Sequence, residues 1–266
     1  MSDIDIAVAR LTAAQRDRIP CPPVRDLLPA DDTGAAYAVQ SSVAGARIAA
    51  GARVVGRKIG LTNPKVQAQL GVDQPDFGVL FDDMRCPQDE PISIGRLMQP
   101  RIEAEIAFVL GQDLGAAGTL TADRVRGAVA HAVAALEIVD SRIAGWDITI
   151  VDTIADNGSA GLFVLGDAAV AVDGVELAEV AMTMRRGGEI VSTGTGADCL
   201  GHPLEALAWL ARAARDRGAP LRAGDVVLSG ALGPVVPVQP GDTFTAELTG
   251  LGPVRASFSA AAARPA

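Results

Sequence analysis

Hydrophobic and polar positions alternate along Pro100-Arg101-Ile102-Glu103-Ala104-Glu105-Ile106-Ala107-Phe108. Ile102, Ala104, Ile106 and Phe108 fall on one face of a strand, and Arg101, Glu103 and Glu105 on the other. Further strands are predicted at 54–59, running into the Gly60-Leu61-Thr62 turn, and at the end of 71–80. Another is expected over 134–142, where Ala134 to Val139 is apolar on both faces as in a buried strand, interrupted only by Glu137. Met182–Arg185 and Glu189–Ser192, flanking Arg186-Gly187-Gly188, read as a hairpin. From Gly224 to Phe258 short strands alternate with turns, and Gly250 and Gly252 mark a last hairpin.

Helical spacing appears at 4–18 and at 33–50, the latter behind the capping run Asp31-Asp32-Thr33. A short helix is expected from Asn63-Pro64 to Leu70, and another over 122–133 behind Thr121, with Val125, Val129, Val133 and His131 on it. Pro203 starts the clearest helix, whose Leu204, Leu207, Leu210, Ala211 and Ala214 share a face before Gly218 and Pro220 stop it. His202 precedes it as a structural residue. The pattern predicts an α+β chain, with a helical N-terminal subdomain over 1–52 and a β-rich catalytic domain over 53–266.

Composition narrows the class. With 49% hydrophobic and 21% charged residues, the 266-residue chain can bury a large core. A net charge of −9 argues against nucleic acid or an anionic membrane as partner, since both attract basic surfaces. Cys21, Cys86 and Cys199 are odd in number and lack a C-x-x-C spacing, which predicts free thiols and a cytoplasmic location. The acidic N-terminus carries no signal-peptide pattern, and no apolar run approaches the ~18–20 residues of a membrane span.

The candidate chemistry lies in acids placed where a core is expected. Glu103 and Glu105, at i and i+2, stand roughly 6.5–7 Å apart along one strand face. A solvated acidic face explains them equally well until Glu137 is added from a second, otherwise buried strand. Three carboxylates from two strands make an oxygen-only, hard ligand set that suits Mg²⁺ or Mn²⁺ better than Zn²⁺. Lys58, between apolar neighbours, either snorkels to the surface or offers a fixed ammonium to an anionic substrate. Asp76 reads by default as a turn residue before Phe77-Gly78. Asp140 and Arg142 read as an ordinary ion pair, and Asn157-Gly158-Ser159 as a tight turn or a cradle for a carboxylate. Gly194-Thr195-Gly196 with Gly201 does not meet the dinucleotide fingerprint, and no Walker A sequence is present.

Several of these stretches together resemble the 2-oxopent-4-enoate (2-hydroxypenta-2,4-dienoate) hydratases of the fumarylacetoacetate-hydrolase-like superfamily. They are Gly56-Arg57-Lys58-Ile59-Gly60-Leu61-Thr62, Gly71-Val72-Asp73-Gln74-Pro75-Asp76-Phe77-Gly78, Gln99 to Glu105, Leu136 to Arg142 and Asp156-Asn157-Gly158-Ser159. The E-x-E with a distant Glu is shared across the superfamily, whereas Asp-Gln-Pro-Asp-Phe-Gly is narrower. The resemblance implies a rolled, β-rich sheet and a homo-oligomer. It implies a divalent metal held by Glu103, Glu105 and Glu137, with Lys58 and Asp76 at the reacting end, while the chemistry of the loop itself puts Asn157 and Ser159 toward the rest of an anionic, 2-hydroxydienoate substrate. The expected reaction is addition of water to give a 4-hydroxy-2-oxoacid in bacterial aromatic or steroid degradation. Two alternatives stand beside it: decarboxylation of 2-oxo-3-hexenedioate, and a non-catalytic role stabilising a neighbouring pathway enzyme, with which an active hydratase could also associate. The histidine-dependent hydrolases of the superfamily fit less well, because no histidine precedes His131.

Overall fold

The computed structural model of the chain describes residues 1–63, 67, 72, 74–115 and 118–260. Two helices open it. In α1 (Asp3–Asp17), Ser2 and Asp5 form a reciprocal capping box, and left-handed Arg18 ends the helix. In α2 (Thr33–Ala49), the Asp32 side chain accepts from the Ala35 N–H. Both turn small or apolar residues inward, among them Ala7, Leu11, Ala36 and Val39.

The rest is built on two sheets. The larger contains β1 (Val54–Gly60), β2 (Asp76–Phe81), β3 (Arg85–Cys86), β4 (Arg101–Leu110), β5 (Val129–Val139), β6 (Ala160–Leu165), β9 (Val226–Leu228) and β10 (Val236–Pro237). Its order is β2-β1-β9-β4-β5-β6-β3, with β10 also paired to β4. The smaller runs β12-β11-β7-β8, from β7 (Ala181–Arg186), β8 (Glu189–Thr195), β11 (Thr243–Leu248) and β12 (Gly252–Ser257). Among the described residues, the connections hold α3 (Ala122–Arg126), α4 (Ile150–Ala155) and α5 (Pro203–Asp216). The predicted hairpins and the Pro203 helix are present, and the His202 ring caps that helix by accepting from the Leu204 N–H at 3.0 Å.

The large sheet rolls, and its terminal strand β2 is closed by side chains instead of another strand. Along its outer edge, Gln40 Nε2 donates to the Phe77 carbonyl at 2.8 Å. The Asn157 amide engages Val79 twice, accepting from its N–H at 2.7 Å and donating to its carbonyl at 2.9 Å. Buried backbone groups need partners, and these two amides supply what a neighbouring strand would.

Two expectations need correction and one falls outside the described residues. The helix expected over 122–133 stops at Arg126, and His131 lies half-buried on β5 opposite Val109. Val125, Val129 and Val133 are four apart, a spacing that suits period two as well as 3.6, and pairing with β4 decides for the strand. Asp140 and Arg142 do not form a side-chain ion pair with each other. β5 ends at Val139, so strand alternation no longer holds there, and Arg142 turns to pair with Asp156. Asp140 instead accepts from the N–H groups of Met98 and Gln99, at 2.9 and 2.6 Å. The short helix from 63 to 70 lies largely outside the described residues. Among those described, no helix is long and apolar enough to cross a membrane.

Candidate functional site

β4 and β5 are antiparallel with Glu103 directly opposite Glu137, and Glu105 two residues further along the same face. One carboxylate oxygen from each lies within 4.8 Å of the others. Glu105 and Glu137 are fully buried, while Glu103 is half-buried and faces a cavity. Glu105 Oε2 accepts from the Gly230 N–H at 2.7 Å, but Glu105 Oε1 and Glu137 Oε2 have no hydrogen-bond partner, and Glu137 Oε1 is met only by the Lys58 ammonium at 3.3 Å. Buried carboxylate oxygens left this way are costly unless a cation meets them. Burial raises the pKa of all three acids, and the charge of Glu137 pushes Glu103 and Glu105 up further, Glu103 to about 7. With oxygen donors only, these three residues fit a hard divalent cation.

Lys58 does not snorkel. On β1 it is only 3% exposed, and its Nζ lies 3.3 Å from Glu137 Oε1. Burial alone would lower its pKa, but Glu137, Glu103, Asp76 and Glu105 together outweigh that and raise it, so the ammonium persists at neutral pH. Glycines make room for its stem: a Cβ on Gly158 would stand 3.0 Å from Lys58 Cδ, and one on Gly78 would strike the Asn157 carbonyl.

Asp76 is the first residue of β2, paired with Gly60 and 1% exposed, and not an exposed turn residue. Its Oδ2 accepts from Thr153 Oγ1 at 3.1 Å, and Oδ1 has no partner. Burial lifts its pKa, opposed by the Lys58 charge and the Thr153 hydrogen bond. An aspartate of raised basicity with one free oxygen has the character of a proton acceptor.

The turn containing Asn157, Gly158 and Ser159 holds all three residues at positive φ: 58°, 61° and 52°. Arg142 anchors it through the Asp156 carboxylate and carbonyl. The Asn157 side chain is committed to Val79, whereas the buried Ser159 hydroxyl has no partner. Lys58, Asp76 and the three glutamates thus form one cluster, and the turn packs beside it. Thr153 and Gly230 escaped sequence reading. Thr153 sits in a mixed, short helix with no marker, and Gly230 showed only as turn punctuation.

A cavity of about 540 Å³ opens from Glu103. Its lining includes Leu61, Thr62, Thr193, Asp198, Leu232 and Val235. Leu61 has a left-handed backbone (φ 55°), which turns the chain off the end of β1.

Residues 51–259 match the family described as Fumarylacetoacetate (FAA) hydrolase C-terminal. The chain is 52% identical over 262 residues to a 2-keto-4-pentenoate hydratase of Paraburkholderia phymatum, covering 97% of this chain and all of that one. It is 53% identical over 251 residues to a 2-keto-4-pentenoate hydratase of Burkholderia vietnamiensis, covering 94% and 95% of the two chains. Among solved structures it is similar to 4-oxalocrotonate decarboxylase from Pseudomonas putida G7 complexed with magnesium and adipate. The TM-score is 0.91 at 32% identity, over 96% of this chain and 97% of that one. With matching that spans nearly its whole length, the chain belongs to the fumarylacetoacetate hydrolase family, in the branch of the 2-keto-4-pentenoate hydratases.

Proposed function

We propose that this protein is a divalent-metal-dependent hydro-lyase that adds water to 2-hydroxypenta-2,4-dienoate and yields 4-hydroxy-2-oxopentanoate. The observation that carries the reading is the buried cluster of Glu103, Glu105, Glu137, Lys58 and Asp76 in a chain about half identical to curated hydratases. Glu103, Glu105 and Glu137 hold Mg²⁺ or Mn²⁺, which supplies Lewis-acid stabilisation of enolate charge when bound.

The chain's own residues do the remaining work. Lys58 sets a permanent positive charge beside the glutamates, where it attracts the substrate carboxylate and offsets negative charge developing on the C2 oxygen. Ketonisation moves the enol proton formally from the C2 oxygen to C5 and leaves a 3-ene conjugated to the C2 carbonyl. Water then adds with its oxygen to C4 and a proton to C3. Asp76 orients that water and takes its proton on Oδ1, while Thr153 fixes the other carboxylate oxygen. The Ser159 hydroxyl is available to the substrate, and Asn157 shapes the turn that presents it.

In this reading residues 1–52 are a helical subdomain, 53–266 the catalytic domain, and the enzyme works as a homo-oligomer. A second reading, decarboxylation of a 2-oxo-3-enedioate, is favoured by the likeness to the solved decarboxylase. Hydration has the greater support, at 52% against 32% identity. Purified protein mixed with the dienoate and Mg²⁺ should bleach the dienol ultraviolet absorbance and form the 4-hydroxy-2-oxoacid, and chelator should stop it. Release of CO₂ from the dioate without hydration of the monoacid would replace this reading with the second.

A further inference from the structure

The described residues contribute two charged groups to the cavity wall, Glu103 and Asp198, and both are acidic. The rest of the wall is largely apolar, with Leu61, Leu232 and Val235. Asp198 is half-buried and held in place, its Oδ2 accepting from the Thr195 N–H at 2.9 Å and from Thr195 Oγ1 at 3.2 Å. It belongs to a short turn that follows β8, so its carboxylate is a fixed feature of the cavity wall.

We infer that Asp198 is a specificity determinant that rejects substrates with a second carboxylate at the end remote from the 2-oxo group. This rests on the proposed function and deepens it, by naming monocarboxylic 2-hydroxydienoates with a neutral tail as the substrate class. A substrate anchored at the glutamates by its C1 carboxylate and C2 oxygen points its tail along the apolar wall. A methyl or methylene there buries favourably against Leu61, Leu232 and Val235. A distal carboxylate would lose water against the same wall and meet Asp198 with no described cation to offset it. Across several ångströms of partly wet cavity, like-charge repulsion changes affinity by roughly five- to tenfold.

The test compares two inert ligands that differ only at the far end, 2-oxohexanoate and 2-oxoadipate. Binding to the Mg²⁺-loaded full chain is measured by calorimetry at fixed ionic strength. Wild type should prefer the monoacid by roughly tenfold or more. Asp198→Asn, which keeps an acceptor for Thr195, should narrow that preference by roughly five- to tenfold, and Asp198→Lys should narrow it further or reverse it. Circular dichroism confirms that the variants are folded, and repeating the titrations in high salt should shrink the wild-type preference. A ratio unchanged within twofold across the three folded proteins overturns the inference, as does a wild type that prefers the diacid. Failure of the hydratase reading looks different: neither 2-oxo acid would bind, and the dienoate would not be hydrated.

Discussion

Stripped of divalent metal, the protein should lose stability as pH rises from about 4.5 to about 7. In the folded chain Glu103 keeps its proton up to about 7, against an ordinary value of 4.5. Below 4.5 folded and unfolded chains are both protonated there, and the group makes no difference between them. Between the two values the unfolded chain has released the proton and the folded chain has not, so stability falls as pH climbs. The interval is 2.5 pH units, and at about 1.4 kcal/mol per unit it corresponds to at most ~3.5 kcal/mol. Solvent reaching Glu103 through the cavity reduces this to on the order of 2 kcal/mol. For a chain of this size that is a fall of roughly 4–8 °C in melting temperature. Other buried acids, such as Asp140 and Asp156, contribute a similar trend whether or not metal is bound. The informative quantity is therefore the gap between melting curves with saturating Mg²⁺ and with chelator. That gap should widen from pH 4.5 to 7, because protons compete with the cation for the same oxygens. Glu103→Gln should flatten much of the metal-free trend. A gap constant across this range would refute the assignment of the three glutamates as a cation site.

Lys58→Ala should lower turnover by roughly 10²-fold or more in a folded protein, and Lys58→Arg should rescue poorly, because Gly78 and Gly158 leave no width for a planar guanidinium. Steady-state kinetics with Mg²⁺ decides it, and a near-normal rate in either variant would remove Lys58 from the chemistry. Asp76→Asn should slow water addition by about 10²–10⁴, the usual range for a lost acid–base group. Exchange of substrate protons in D₂O should be less affected in that variant, and hydration at the wild-type rate would show that water is activated elsewhere. Asn157→Ala leaves the Val79 N–H and carbonyl without their partners and should destabilise the fold by about 2–4 kcal/mol in urea titrations. If the amide instead binds substrate, KM would rise with stability unchanged.

The E-x-E strand was legible because alternation is local and a single period settles it. Lys58 and Asp76 were legible as residues out of place, a lysine among apolar neighbours and an aspartate in a family-like stretch. Their meeting with Glu137 was not, since the curl of the sheet brings them together and no short-range pattern encodes it. The valines at 125, 129 and 133 misled because one spacing satisfies two periods, and only pairing with β4 separates them. Arg142 misled for a related reason. The end of β5 frees its side chain to choose a partner fourteen residues on, in the turn that supports Lys58. Asn157 had been expected to face substrate by its chemistry, yet both ends of its amide are spent on backbone.

Association of two copies of this chain by strand addition is closed off at β2. An incoming strand would have to displace the amides of Gln40 and Asn157, which already occupy the backbone groups it would need. At the other end of the large sheet, β3 is two residues long and too short to template a ladder. The smaller sheet ends in β12 and β8, and on β12 the Arg255 N–H is already taken by Gln88 Oε1 at 2.9 Å. Among the described strands only β8, seven residues long, keeps an extended outer edge for a second chain. A homo-oligomer of this protein that formed by strand addition would therefore join along β8. Joining along β8 would set a neighbouring subunit beside Thr193, which lines the cavity that Glu103 faces.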